Sequence, residues 1–295
     1  MESELAIALN NVEKRYANFQ LKNLDLHLPK GEVMGLVGMN GAGKSTTIRI
    51  IMGLIAADKG EVDVLGCRLP EHQVRAKSRM AFASEDMRLY KNQNLGWHMQ
   101  LVAAFYPDWD QGYANTLLKK FRLNKDQKLA GFSHGQRVKA FLLLLLARRT
   151  QLLVLDEPTT GLDPIARSEI MDELADVLLD EERSILFSSH NTQEVERLSD
   201  TLTFLHEGIV VAASNTDTFL NGWRRILCRG SVNDWAAIPG ITQRRESGSL
   251  TELKIEHYND GVPGVLQEKG LEVLEVNRMD LEEIFVAHVK RENSL

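Results

Sequence analysis

Nine residues, "GMNGAGKST" from Gly38 to Thr46, constrain this chain more than any others. They satisfy G-x-x-x-x-G-K-[ST] through Gly38, Gly43, Lys44 and Ser45, with Asn40, Gly41 and Thr46 completing the loop. The preceding "VMGLVG" is a near-continuous apolar run, as a buried central strand requires, and the following "STTIRIIMGL" reads as a helix. These are the residue types that a nucleoside triphosphate needs. Glycines let the backbone curl until several N–H groups face phosphate oxygens, and the helix N-terminus adds partial positive charge. Lys44 reaches the β- and γ-phosphates, and the Ser45 hydroxyl can ligate Mg²⁺. A dinucleotide fingerprint starting at Gly41 fits poorly, because Thr46 stands at its third glycine position.

A second apolar run, "LLVLDEP", ends in Asp156 and Glu157. In α/β sheets ligands sit beyond the carboxyl ends of the strands. Asp156 there can hold the water shell of Mg²⁺ opposite Ser45, and Glu157 can polarise a water for in-line attack on the γ-phosphate. Two carboxylates closing an apolar strand are costly unless a metal and a substrate neutralise them. Any phosphate-loop NTPase can carry this pair, so it does not choose among them.

The rest of the pattern sets the architecture. Residues 5 to 28 alternate apolar and polar, which predicts antiparallel strands ending at the Pro29–Glu32 turn. Strands then alternate with helices, predicting a mainly parallel α/β core interrupted by a helical block at about residues 89 to 148. Its third helix, "GQRVKAFLLLLLARR", is expected to be buried and to carry basic residues in its last turn. "TLTFLHEGIVVAAS" reads as a hairpin about Glu207-Gly208. After residue 214 the order becomes β-α-β-β-α-β with a closing helix, the ferredoxin-like plan. The domains expected are therefore 1–214 and a small α+β domain at 215–295.

With 295 residues, 43% apolar and 26% charged, the chain has the composition of a globular protein. Its net charge of −6 argues against a nucleic-acid partner, and none is expected. Cys67 and Cys228 lie far apart without metal-ligand spacing, which suits buried thiols in a reducing compartment. The longest apolar run, "AFLLLLLA", is far short of the ~20 residues of a membrane helix. The N-terminus lacks the pattern of a signal peptide. A membrane role would therefore run through a partner.

Four further pieces fall in order. Tyr16 precedes the phosphate loop, and "FSHGQ" precedes Asp156, each by about two dozen residues; "TTGLDP" follows Asp156, and "SSH" ends at His190 after another buried strand. Together with the phosphate loop and Asp156-Glu157, this resembles the ATP-binding subunit of ABC transporters over about residues 5 to 212. The resemblance implies that Tyr16 stacks on adenine. It implies that Ser133, Gly135 and Gln136 form a signature loop for the γ-phosphate of ATP held by a second subunit. Asp163 would cross the dimer interface, and His190 would contact the γ-phosphate and orient the attacking water.

Ser133 also stands where an N-cap belongs, and Asp163-Pro164 has the form of a cap followed by proline at the first helical position. There are two departures from the family pattern. Glu85 occupies the position where glutamine is usual, able to accept or to ligate Mg²⁺ but without the amide's donor; with the alignment shifted by one residue, Asp86 takes that place. His134 stands where glycine is usual, either tolerated or adding charge near phosphate when protonated.

With one phosphate loop and one signature, the resemblance implies a second ATP-binding subunit, identical or homologous, packed head to tail, and a separate integral membrane permease. The single-module layout, the "YPDWD" segment and the "DLEEIF" helix look like bacterial exporter ATPases, which would be cytoplasmic and peripheral on the inner face of the membrane. The alternative is a non-transport ABC-type ATPase acting as a switch.

Overall fold

A computed structural model of the chain describes residues 4–84, 88–177, 183–230, 232 and 235–292. The N-terminal alternation folds into β1 (Leu5–Tyr16) and β2 (Phe19–Pro29), paired antiparallel with Ile7 opposite Leu28 and Leu9 opposite Leu26, all four buried. β3 (Val33–Val37), buried along its whole length, runs into the phosphate loop and α1 (Lys44–Ile51). β4 (Lys59–Val64) and β5 (Cys67–Arg68) complete a four-stranded sheet of order β2-β1-β4-β5. α2 (Gln73–Ser78) and β6 (Met80–Ser84) lead to the helical block, α3 (Leu95–Phe105), α4 (Gln111–Lys120) and α5 (His134–Leu146). The chain returns through β7 (Leu152–Asp156), α6 (Pro164–Val177), β8 (Ser184–Ser189), α7 (Thr192–Leu198) and the hairpin β9 (Thr201–His206) and β10 (Ile209–Asn215).

The second sheet has the order β10-β9-β3-β8-β7-β6, and β3, β8, β7 and β6 run parallel. β3, β8 and the apolar part of β7 are buried because helices cover both faces of such a sheet, which is why they read as continuous apolar runs. Among the described residues no helix is long and apolar enough to cross a membrane.

The expected basic last turn of α5 is corrected. The helix stops at Leu146, and Arg148 and Arg149 lie beyond it. Beyond Ala147 the bonds tighten to i→i−3, from the Arg148 N–H to Leu145 and from the Arg149 N–H to Leu146, and Arg149 then takes a left-handed φ of 51° that turns the chain away. The buried Arg148 donates from Nη2 to the Met80 carbonyl at 2.7 Å and stacks on Tyr106, while Arg149 pairs with Asp110. Both guanidiniums thus tie the helical block to its neighbours rather than completing a helix end.

α4 is joined to α6 by a buried acid. The Tyr113 hydroxyl donates to Glu173 at 2.6 Å, and Lys120 forms an ion pair with the same carboxylate, which is 3% exposed. Burial, with the adjacent Glu173 carboxylate, pushes the Tyr113 pKa well above its ordinary value. Tyr113→Phe is expected to destabilise the fold by about 1–3 kcal/mol, because it removes a donor from a buried carboxylate. Denaturant unfolding measures it, and an unchanged midpoint would remove this contact from the account.

The chain divides into two compact units, one of Met1–Ser199 with Leu205–Val210, the other of Asp200–Phe204 with Val211–Leu295. The second contains α8 (Thr216–Gly222), β11 (Arg224–Arg229), β12 (Ile241–Ser247), β13 (Leu250–Ile255), α9 (Val262–Glu268), β14 (Glu272–Arg278) and α10 (Leu281–Glu292). Its sheet is antiparallel in the order β12-β13-β11-β14, over a core that includes Ile226, Cys228, Leu253, Ile255 and Leu266. A 3-10 turn at Trp235–Ala237 stands where the first helix is expected. α2 and α8, of six and seven residues, are not anticipated from the pattern.

Candidate active site

Register brings the motifs to one edge. Val37 lies opposite Ser189, Asp156 opposite Ser188, and Ser84 opposite Asp156. The carboxyl ends of four parallel strands therefore present the phosphate loop, the carboxylate pair and His190 side by side.

In the phosphate loop Gly41 and Gly43 have φ of 82° and 114°, a region that side chains with a Cβ rarely adopt. Gly38 is required by space: a Cβ there would stand 2.4 Å from the Leu205 carbonyl oxygen. Lys44 is buried, donates from Nζ to the Gly38 carbonyl at 2.7 Å, and lies 3.5 Å from Glu157 Oε1. Its charge is thus held inside the curve of backbone that would receive phosphate.

Asp156 accepts from the Ser188 hydroxyl at 2.6 Å. Glu157 has a left-handed φ of 54°, unusual for a residue with a side chain and costing of order 1–3 kcal/mol. The strained peptide is pinned by its own N–H, which bonds the Ser188 carbonyl at 3.2 Å and lies 3.1 Å from its hydroxyl. Sequence reading passed over Ser188, although it lies within the "SSH" segment; nothing in that segment indicates which residues it would hold. The Glu157 carboxylate lies between two cationic or proton-bearing groups. Lys44 approaches Oε1, and His190 Nδ1 donates to Oε2 at 2.6 Å. That bond puts the proton on Nδ1 and leaves Nε2 directed elsewhere, and His190 is 61% exposed. The arrangement can hold an acid-base pair at a phosphate site.

Two adjoining clefts share Asn18, Phe19, Met39, Asn40 and Gly41. One, of about 590 Å³, is lined by Lys44, Ser45, Thr46, Glu157 and His190. The other, of about 770 Å³, is lined by Tyr16, Asn40, Gly41, His206 and Glu207, and Tyr16 is 45% exposed there. Within the loop, the two clefts meet at Asn40 and Gly41.

Ser133 caps α5. Its hydroxyl accepts from the Gln136 N–H at 3.2 Å, and the Gln136 side chain accepts from the Ser133 N–H at 2.9 Å. This reciprocal capping box fixes the entry to the helix. Gly135 faces α6, where a Cβ would meet Ala166 at 3.4 Å. His134 Nε2 donates to the Thr160 carbonyl at 3.2 Å, so its imidazole rests on the loop that leads to Asp163. Asp163 accepts from the N–H groups of Ala166 at 2.9 Å and Ile165 at 3.0 Å. Those bonds, Ala166 first, hold its carboxyl below the usual carboxylate range. Within this one chain the structure brings Gly38, Lys44, Ser45, Asp156, Glu157 and His190 together, while Ser133, Gly135 and Gln136 do not line the cleft of Lys44, Ser45 and His190; the adjoining His134 lines another cleft with Glu157 and Thr160. Glu85 and Asp86 lie outside the described residues.

A family model described as ABC transporter matches residues 21–160. The chain is 32% identical to the lantibiotic transport ATP-binding protein SrtF of Streptococcus pyogenes, over 72% of this chain and 91% of that one. It is 27% identical to the ABC transporter ATP-binding protein YtrB of Bacillus subtilis (strain 168), over 92% of this chain and 93% of that one. A solved structure described as the ATP-binding subunit of an ABC transporter superposes with a TM-score of 0.65 at 28% identity, covering 73% of this chain and 92% of that one.

Proposed function

Because the chain belongs to the ABC transporter family, as an ATP-binding subunit that hydrolyses ATP, we propose that it works in a head-to-tail pair of such subunits to drive a separate membrane permease, in an exporter. The observation that carries this reading is the Glu157 carboxylate held between Lys44 and His190 at the edge of the phosphate loop. Glu157 takes the proton of the attacking water. His190, its Nδ1–H committed to Glu157, donates from Nε2–H to the γ-phosphate as the imidazolium, in which both ring nitrogens are donors. Lys44 and the loop N–H groups from Gly38 to Thr46 bind the phosphates, and Tyr16 stacks on the base.

The donor set suits magnesium. Asp156, oriented by Ser188, and the Ser45 hydroxyl are hard oxygen donors, and magnesium takes its remaining ligands from phosphate and water. When bound, the ion would neutralise charge on the phosphate oxygens.

The capped turn at Ser133, Gly135 and Gln136 offers N–H groups and partial positive charge to an anion, which in this reading is the γ-phosphate of ATP on the second subunit. Asp163 would reach across the same interface. The partner subunit is a second copy or a homologue, and the permease holds the pair at the cytoplasmic face of the membrane. Export is favoured because the similarity includes Nod factor export ATP-binding proteins. We read the sheet order β12-β13-β11-β14, with its antiparallel pairing, as a ferredoxin-like domain of 215–295 attached to an ATP-binding domain of 1–214.

Lys44→Ala tests the site. The substitution removes charge-assisted bonds worth about 1.5–3 kcal/mol, so ATP affinity measured by calorimetry should fall by about 10- to 100-fold. Unchanged affinity in a folded variant would refute this reading.

A further inference from the structure

Behind His190 and Glu157 lies a second carboxylate that neither motif contains. Glu194, in the first turn of α7, is only 5% exposed. Its oxygens accept from the Thr159 hydroxyl at 2.8 and 2.7 Å, from the Ser189 hydroxyl at 2.9 Å and from Asn191 Nδ2 at 3.5 Å. Arg167 Nε lies 3.3 Å away, as an ion pair rather than a hydrogen bond. Ser189 in turn accepts from the Asn191 N–H at 3.0 Å.

These partners come from separate parts of the site. Thr159 is two residues after Glu157, in the loop that runs to Asp163; Ser189 immediately precedes His190; Arg167 belongs to the helix that Asp163 caps. A buried acid is weak evidence for stability, since well-packed apolar residues often replace such a group without loss. What an acid with several donors from different segments does supply is a fixed relative geometry.

We propose that Glu194 is a positioning residue for ATP hydrolysis, holding the Glu157–Asp163 loop and the His190 strand end in one register. The inference rests on the roles proposed above for Glu157 and His190. Glu194 touches no phosphate-site residue that binds ATP, so its loss acts on turnover and spares binding.

The test measures kcat and KM for Mg-ATP in the full-length chain carrying Glu194→Gln, alone and with His190→Ala. Glu194→Gln is expected to lower kcat by about 10- to 100-fold, the size that a small misplacement of reacting groups produces, with KM within about twofold. In the His190→Ala background it should lower kcat no further. Thr159→Val removes a donor with little change of shape and should lower kcat in the same direction; it keeps the test alive if Glu194→Gln does not fold. An undiminished kcat in folded Glu194→Gln and Thr159→Val, a parallel rise in KM, or full additivity with a damaging His190→Ala would overturn the inference. Normal turnover in His190→Ala would overturn the role of His190 itself, and the positioning role with it.

Discussion

Glu157→Gln is expected to lower the turnover of ATP by about 10²- to 10⁴-fold, the range for losing a general base, while ATP remains bound. Glutamine keeps the length and shape of the side chain, so the contact with His190 Nδ1 can persist through the amide oxygen. What it loses is the ability to take a proton. It also withdraws a negative charge 3.5 Å from Lys44, which frees that cation for phosphate. ATP should therefore stay in the site unhydrolysed, and the head-to-tail pair should accumulate as an ATP-dependent dimer. Light scattering with and without Mg-ATP reads the dimer, and phosphate release reads the turnover. Normal hydrolysis would show that Glu157 is not the base. A variant that binds ATP, does not hydrolyse it and stays monomeric would show that the required partner is a different subunit.

Gly208→Ala should be as damaging to folding as Glu157→Gln is to chemistry. Gly208 has a φ of 81°, and a Cβ there would stand 1.9 Å from the Gln20 carbonyl oxygen and 2.8 Å from its carbon. Both are backbone atoms and cannot rotate away. The turn is held in place by two hydrogen bonds: the Gly208 N–H donates to the Ala42 carbonyl at 3.0 Å, and the Lys22 N–H donates to the Gly208 carbonyl at 2.9 Å. The first of these supports the phosphate loop from below. A loss of about 3–5 kcal/mol is expected, the size that marks a defined backbone conflict, together with weaker ATP binding in whatever remains folded. Gly222→Ala is the control: its Cβ would meet nothing within 4 Å, and the change should stay within about 0.5 kcal/mol. Equal melting of the two variants would show that the turn at Gly208 adapts.

Much of the site is written locally. The phosphate loop declares itself because its glycines, lysine and hydroxyls must be consecutive to wrap one phosphate chain. Asp156 and Glu157 stand out because charge is conspicuous at the end of an apolar strand. The caps at Ser133 and Asp163 can be read because capping chemistry acts over two or three residues. The end of α5 reads less well. Arg148 and Arg149 look like a basic helix terminus, and only their tertiary partners, Met80 and Asp110, show why the helix has already stopped.

By itself, then, the sequence determined the phosphate loop, the strand that bears the carboxylates, the helical block and the order of the motifs, because each depends on neighbours a few residues apart. Tertiary structure alone decided the rest. Ser188 pins the strained Glu157 peptide, Glu194 gathers Thr159 and Ser189, and Gly208 props up Ala42. Each of these depends on which strands lie side by side, β9 beside β3 and β8 beside β7. Hydrogen bonds across a sheet are set by strand order and register, which residue spacing along the chain does not encode.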